Sequence, residues 1–228
     1  MTYSDFTPLH RSLARGPRGP APAVANPYRD EMPGLDQPRA ARQRRRNLAA
    51  YLERVGTPRL VLVGEALGFR GGRFSGIAFT SERQLAGGAD RRLPWAGPPF
   101  AATSRNPELW LEPSGSVVWS ALGREVDGVL LWNAFPWHPH RPGEPLSNRT
   151  PERRLLLANL HVLAALLAAV DGARLLAVGR TAQLALAALG ASAEPLRHPA
   201  FGGAALFRRQ LATVLAGPVG GPAGPKRG

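Results

Sequence analysis

The sequence predicts an α/β domain whose core is a short, four-stranded parallel sheet with helices on both faces. Four short apolar runs predict the strands, at residues 59–64, 128–132, 173–178 and 193–196. Each run is apolar at consecutive positions rather than at alternate ones, which is typical of strands that are buried on both faces. Helical segments alternate with the runs, and a chain of 228 residues suits one such domain better than two.

The helices are predicted at residues 36–54, 151–170, 180–189 and 203–215. Thr150 is the expected N-cap of the second helix and Pro151 its first residue. Residues 1–35 and 217–228 are rich in Pro, Gly and Arg and lack hydrophobic periodicity. We therefore predict a disordered N-terminal arm over 1–35, a folded domain over 36–216 and a disordered tail over 217–228.

Composition restricts the kinds of partner and cofactor. The formal net charge is +13, and the 29 basic residues are not confined to the two ends, which favours a nucleic-acid partner. The absence of cysteine excludes disulfides, thiolate zinc sites and cysteine-bound iron–sulfur clusters, and we expect no cofactor. No apolar run is long enough to span a membrane and no secretory signal begins the chain, so we expect a cytoplasmic protein of the bacterial nucleoid without a membrane partner. We also expect a monomer.

Polar residues end or follow three of the four predicted strands. Glu65 ends the first strand, Asn133 the second, and His198 follows the fourth. In open α/β sheets ligands bind beyond the carboxyl ends of the strands, so these side chains are expected to converge on one cleft. Each residue alone is better explained as a helix cap, a turn former or a packed histidine. Together, on one edge of one sheet, they predict a functional site.

The segments around these residues resemble the active-site motifs of the uracil-DNA glycosylase superfamily. The resemblance covers GEALG at residues 64–68, the Gly-rich stretch at 69–82, LLWNAFP at 130–136 and HPAFGG at 198–203, in the family's order. It implies an enzyme of base-excision DNA repair, a hydrolase that flips a base out of DNA and cuts its bond to the sugar. The chain departs from the family by having no cluster cysteines, and by having Ala66 and Gly68 where a well-known branch has Asp and Tyr.

The resemblance also implies roles for individual residues. Phe79 would stack on the flipped base, Asn133 would pair with it, and neutral His198 would donate to O2 of the departing base. Glu65 or Glu82 would position the attacking water, with Glu65 slightly favoured. The remaining expected site residues are Gly64, Ala66 and Gly68 around the base, and Phe201, Leu206, Arg197 and Arg208 against the DNA, with Phe201 or Leu206 entering the gap that the base leaves.

Other functions are consistent with the same residues. His138, His140 and His198 suggest a metal hydrolase, although Pro139 stiffens the His-Pro-His spacing and no carboxylate is placed nearby. A non-catalytic DNA- or RNA-binding protein on the same fold is a second alternative. Within the glycosylase interpretation, the lesion is uracil or, alternatively, xanthine, hypoxanthine or a 5-substituted uracil.

Overall fold

The computed structural model describes residues 7–19, 21–86, 93 and 97–217. Within this part of the chain the helices are α1 (Thr7–Arg15), α2 (Ala40–Val55), α3 (Gly72–Ser75), α4 (Glu82–Leu85), α5 (Pro113–Leu122), α6 (Arg153–Ala158), α7 (Leu160–Ala169), α8 (Arg180–Ala188) and α9 (Ala204–Ala216). The strands are β1 (Val24–Ala25), β2 (Leu60–Ala66), β3 (Val129–Phe135), β4 (His138–Pro139), β5 (Arg174–Val178) and β6 (Glu194–Leu196).

The core is a four-stranded parallel sheet in the order β3-β2-β5-β6, which confirms the predicted fold class. Every residue of β3 is buried, and β2 is buried over residues 60–64, because helices cover both faces. The register pairs Gly64 with Asn133 across β2 and β3. The carboxyl ends of these strands therefore open at the same edge of the sheet, where the predicted polar residues lie.

The N-terminal region differs from the predicted disordered arm. Leu9 and Leu13 of α1 lie in the hydrophobic core with Tyr28, and β1 pairs antiparallel with β4. A helix this short is unstable alone and is held by tertiary packing. The region is rich in Pro, Gly and Arg, and its few apolar residues show no periodicity in the sequence that would predict these contacts. Residues 1–6 and 20, which also belong to the predicted arm, lie outside the described residues.

Of the predicted C-terminal tail, the structure describes only Gly217. Gly217 follows α9, and its N–H donates to the Thr213 carbonyl at 3.2 Å. Residues 218–228 of the predicted tail lie outside the described part of the chain.

The predicted helix over 151–170 is two helices, α6 and α7, which meet at Asn159. The buried Asn159 side chain donates to the carbonyl oxygens of Leu155 at 2.8 Å and Arg18 at 3.2 Å, and it accepts from the Arg18 N–H at 2.6 Å. These bonds attach the N-terminal segment to the break. Neither Thr150 nor Pro151 begins the helix, since α6 starts at Arg153.

Part of the positive charge in the α2 region has a structural role. Arg44 is buried and pairs with Asp36 at 2.8 Å, and Asp36 also pairs with Arg73 of α3 at 2.8 Å. One buried carboxylate thus joins α2 to the segment that follows β2. A buried charge without its partner is costly, so Arg44 and Arg73 are unavailable to DNA. Arg39, Arg42 and Arg46 remain exposed.

Candidate active site

A cavity of ≈ 290 Å³ opens beyond the carboxyl ends of β2 and β3. Glu65, Asn133 and His198 all line it, as predicted from their positions after the strands. Phe79, Ala66, Gly68 and Phe201 line the same cavity. An adjoining cavity of ≈ 730 Å³ shares Glu65, His198 and Phe201 and is also lined by Arg197 and Leu206.

Gly64 lets an aromatic ring and an amide approach the strand closely. A Cβ on Gly64 would overlap the Phe79 ring and would lie 2.5 Å from Oδ1 of Asn133, so any larger residue would displace both side chains. Phe79 has a φ of 54°, which is unusual for a residue with a side chain. Its carbonyl accepts a hydrogen bond from Nε1 of Trp119 at 3.1 Å, which helps to hold this backbone conformation.

A hydrogen bond to the His198 side chain selects one tautomer of its neutral ring. Nδ1 accepts the N–H of Ala200 at 3.1 Å, so the proton of the neutral ring is on Nε2. Burial lowers the pKa of His198, opposed by the nearby Glu65 carboxylate and assisted by Arg197. The turn at residues 198–203 depends on Gly203, because a Cβ there would overlap the His198 carbonyl. The arrangement favours a neutral imidazole that can donate from Nε2.

The Glu65 side chain is held by a hydrogen bond from α8. Its Oε2 accepts a 2.6 Å hydrogen bond from the hydroxyl of Thr181 in the first turn of α8. The side chain is partly exposed and faces both cavities. A carboxylate in this position can accept a proton from water while its orientation is fixed by Thr181.

The structure does not bring Glu82 to the cavity, which corrects its prediction as an alternative catalytic carboxylate. Glu82 is buried, its Oε1 accepts the backbone N–H of Ser104 at 2.7 Å as well as that of Thr103, and its Oε2 accepts the Ser104 hydroxyl. All of these bonds anchor the segment at 103–104. Of the two predicted carboxylates, only Glu65 can reach a ligand in the cavity.

Glu112 provides a second carboxyl group in the cavity wall, and the sequence did not predict it as a site residue. It precedes Pro113 at the start of α5, which made it indistinguishable from an ordinary helix-start residue. Its carboxyl lies against Gly68 and Gly71, and its buried Oε2 has no hydrogen-bond partner among the described residues. Burial raises the pKa of Glu112 to about 7. The three glycines at 68, 71 and 115 that make room for it were the only signal in the sequence.

Phe69, by contrast, lies away from the cavity. Its ring packs edge-on against Trp110, with centroids 5.6 Å apart, and its N–H donates to Oδ1 of Asn148 at 2.9 Å. The space beside Gly68 is therefore bordered by Glu112 and Asn148 and not by an aromatic ring.

An exposed aromatic residue stands at the mouth of the cavity. Phe201 is 97% exposed with a φ of 51°, whereas Leu206, at the start of α9, is 39% exposed. Nη2 of Arg197 donates to the Phe201 carbonyl at 3.3 Å. Arg208 is exposed on α9 but does not line either cavity.

Two of the three histidines of the metal-hydrolase alternative are engaged elsewhere. Nδ1 and Nε2 of buried His138 lie 2.8 and 3.2 Å from the carbonyl oxygens of Leu67 and Pro145, and Nδ1 of His140 lies 2.9 Å from the Arg141 carbonyl. The described residues contain no cluster of three or more His, Cys, Asp or Glu side chains placed to hold a metal ion. His138 instead fixes the loop after β2 through Leu67.

Comparisons with known proteins identify the family and the fold. Residues 53–216 match the family model described as the uracil DNA glycosylase superfamily. The crystal structure of wild-type Pedobacter heparinus SMUG2 superposes with a TM-score of 0.66 at 14% sequence identity, covering 95% of this chain and 98% of that one. No curated protein matches the chain in sequence. In the described part of the chain, no helix is both long and apolar enough to cross a membrane.

Proposed function

Because the chain belongs to the uracil-DNA glycosylase superfamily, we propose that it removes uracil from DNA and leaves an abasic site. The observation that carries the proposal is the 3.1 Å hydrogen bond from the Ala200 N–H to Nδ1 of His198. Nε2–H is then the donor that His198 offers to a base in the cavity. Phe79, Asn133 and Glu65 line that cavity with it.

The proposed reaction uses each of these groups once. The base, flipped from the DNA, stacks on Phe79 and pairs through O4 and N3–H with Asn133, beside the backbone of Gly64 and Ala66. The bond between N1 and C1′ breaks with its electron pair moving to the base, and Nε2–H of His198 stabilises the negative charge on O2. Water adds to C1′, its proton passes to the Glu65 carboxylate and then to solvent, and the base takes a proton from solvent.

On the DNA side, we propose that Phe201 enters the gap left by the flipped base. It is the most exposed large apolar side chain at the cavity mouth, and Leu206 is the alternative. Arg197, beside Phe201, and Arg208 on α9 would contact phosphates. Such contacts add affinity without adding sequence preference.

The direct test is a panel of duplexes that carry uracil, hypoxanthine, xanthine or 5-hydroxymethyluracil at one position. Abasic sites are scored after alkaline strand cleavage under single-turnover conditions, with His198→Ala as the variant expected to cleave slowly. Glu108→Gln is the control, because Glu108 is exposed and outside both cavities. Uracil duplexes that are bound but left intact would favour a non-catalytic DNA-binding protein instead.

We further propose that the enzyme acts as a monomer and does not cut the strand. The only lysine is Lys226, and a lyase that works through a Schiff base needs an amine nucleophile at C1′. Borohydride reduction during turnover is expected to trap no covalent DNA adduct. An adduct mapped to a residue in the cavity would contradict a purely hydrolytic mechanism.

A further inference from the structure

Glu112 occupies the space left by the missing side chain at Gly68. A Cβ built on Gly68 would lie 2.9 Å from Oε1 of Glu112, and one built on Gly71 would overlap Oε2. Gly68 and Glu112 both line the cavity that holds Phe79 and Asn133. The carboxyl is thus packed between two glycine backbones and forms part of the wall that a bound base meets.

The proposed pose leaves one edge of the base facing this wall. N1 points to the sugar at the cavity mouth, O2 to His198, and N3 and O4 to Asn133. The edge that carries C5 and C6 is the one that remains. We place it against the part of the wall formed by Gly68, Glu112 and Asn148, which lie next to one another in the same cavity. Position 5 is where thymine carries its methyl group.

We propose that Glu112 is the specificity-determining residue at C5, and that it selects uracils with a hydrogen-bonding substituent there, such as 5-hydroxymethyluracil, over thymine. This inference rests on the proposed function, because it assumes the base pose described above. It adds to that function the residue that distinguishes a hydroxymethyl group from a methyl group at C5.

The reason is the unsatisfied state of the carboxyl group. Oε2 of Glu112 is buried and has no hydrogen-bond partner among the described residues. Oε1, the carboxyl oxygen beside Gly68, is therefore the one that a ligand in the cavity can reach. A methyl group at C5 would leave this oxygen unpaired, whereas a hydroxymethyl group brings a hydroxyl to pair with it. A site built around such a bond rejects the analogue that lacks it far more strongly than an apolar pocket does.

The protonation state of Glu112 does not remove this preference. Burial raises the pKa of Glu112 to about 7, and the charged or titratable groups that share the cavity are Glu65, Arg149 and His198. A hydroxyl group is both donor and acceptor, so it can pair with the neutral acid or with the carboxylate. A methyl group can pair with neither.

The test compares two ligands that differ by one hydroxyl. Duplexes carry the 2′-fluoroarabino nucleotide of thymine or of 5-hydroxymethyluracil opposite guanine, because the fluorine prevents hydrolysis and dissociation constants can be measured. We expect the wild-type protein to bind the hydroxymethyl duplex on the order of 10- to 100-fold more tightly than the thymine duplex. Glu112→Met, which keeps length but cannot form hydrogen bonds, is expected to reduce the ratio to within about threefold. Glu112→Gln is expected to retain most of it.

Glu108→Gln is the matched control, since it removes an exposed carboxylate from the same segment and should leave the ratio unchanged. Melting temperatures establish that each variant is folded, and Glu112→Ala replaces Glu112→Met if methionine does not fit. A wild-type ratio near one, or a ratio unchanged in the folded variants, would overturn the role of Glu112. Failure to cleave an ordinary uracil duplex would instead overturn the proposed function, and the binding ratio distinguishes the two results.

Discussion

The hydroxyl of Thr181 donates a 2.6 Å hydrogen bond to Oε2 of Glu65, joining the start of α8 to the end of β2. We expect Thr181→Val to lower the single-turnover rate of uracil excision by about 10-fold, because a carboxylate that is free to rotate positions water less well. The affinity for DNA should change little. Thr181→Ser should restore the rate, and a fully active Thr181→Val protein would show that this hydrogen bond has no part in positioning Glu65.

His198→Ala should lower the cleavage rate by on the order of 10²-fold or more, as the loss of an oxyanion donor does in other enzymes. DNA binding, measured with a non-hydrolysable duplex, should be kept. His161→Ala is the comparison, since His161 lies on α7 and lines neither cavity. Near-wild-type cleavage by His198→Ala would remove His198 from the chemistry.

The acid limb of the pH–rate profile should report on the same residue. Burial lowers the pKa of His198, so the neutral donor persists at pH values below the usual histidine range. We expect cleavage to decline only below about pH 6.5. A decline that begins well above this value, and that disappears in His198→Ala, would mean that protonation of His198 is favoured rather than opposed by its surroundings.

Phe201 is 97% exposed at the cavity mouth, and water is an unfavourable environment for so large an apolar side chain. We expect Phe201→Ala to reduce cleavage of uracil in duplex DNA by about 10-fold or more, since unstacking a base costs a few kcal/mol. Cleavage of uracil in a single strand, where no gap must be filled, should be affected much less. Equal losses on both substrates would assign Phe201 another role, and Leu206→Ala tests the alternative wedge.

Three exposed arginines of the α2 region test the electrostatic part of binding. Arg39, Arg42 and Arg46 are exposed, whereas Arg44 is buried in its pair with Asp36. Replacing the three exposed residues by Gln should reduce the slope of log affinity against log salt concentration by up to about 3. Substitution is preferred to removal of residues 1–46, because removal would delete α1 and part of α2. An unchanged slope would mean that this face does not contact DNA.

Glu112 should make the free energy of unfolding depend on pH. Burial raises the folded-state pKa of Glu112 to about 7 from 4.5, so its contribution is fully present below pH 4.5 and is lost as the pH rises to 7. The loss is on the order of 3 kcal/mol. Glu112→Gln removes the titration, and its stability relative to wild type should rise over this pH range in urea unfolding. A difference that stays constant with pH would indicate that the carboxyl ionises normally.

Much of the fold and part of the site follow from local sequence patterns. Consecutive apolar residues determined the four parallel strands, and the polar residues that end or follow them determined which edge carries the site. The sequence alone therefore predicts that Glu65, Asn133 and His198 lie together. The reason is geometric: parallel strands bring their carboxyl ends to one edge, whatever the loops between them do.

Only the tertiary structure decided between the carboxylates and revealed Glu112. Glu65 and Glu82 both lie in segments that resemble family motifs. However, the backbone N–H groups that bind Glu82 belong to Thr103 and Ser104, some twenty residues away. Glu112 meets Gly68 across a still longer stretch of chain. Hydrogen bonding and burial of a carboxyl depend on contacts between distant segments, and a single sequence carries no local pattern for them. The same reason explains α1, whose few apolar residues become a helix only against a core that the rest of the chain provides.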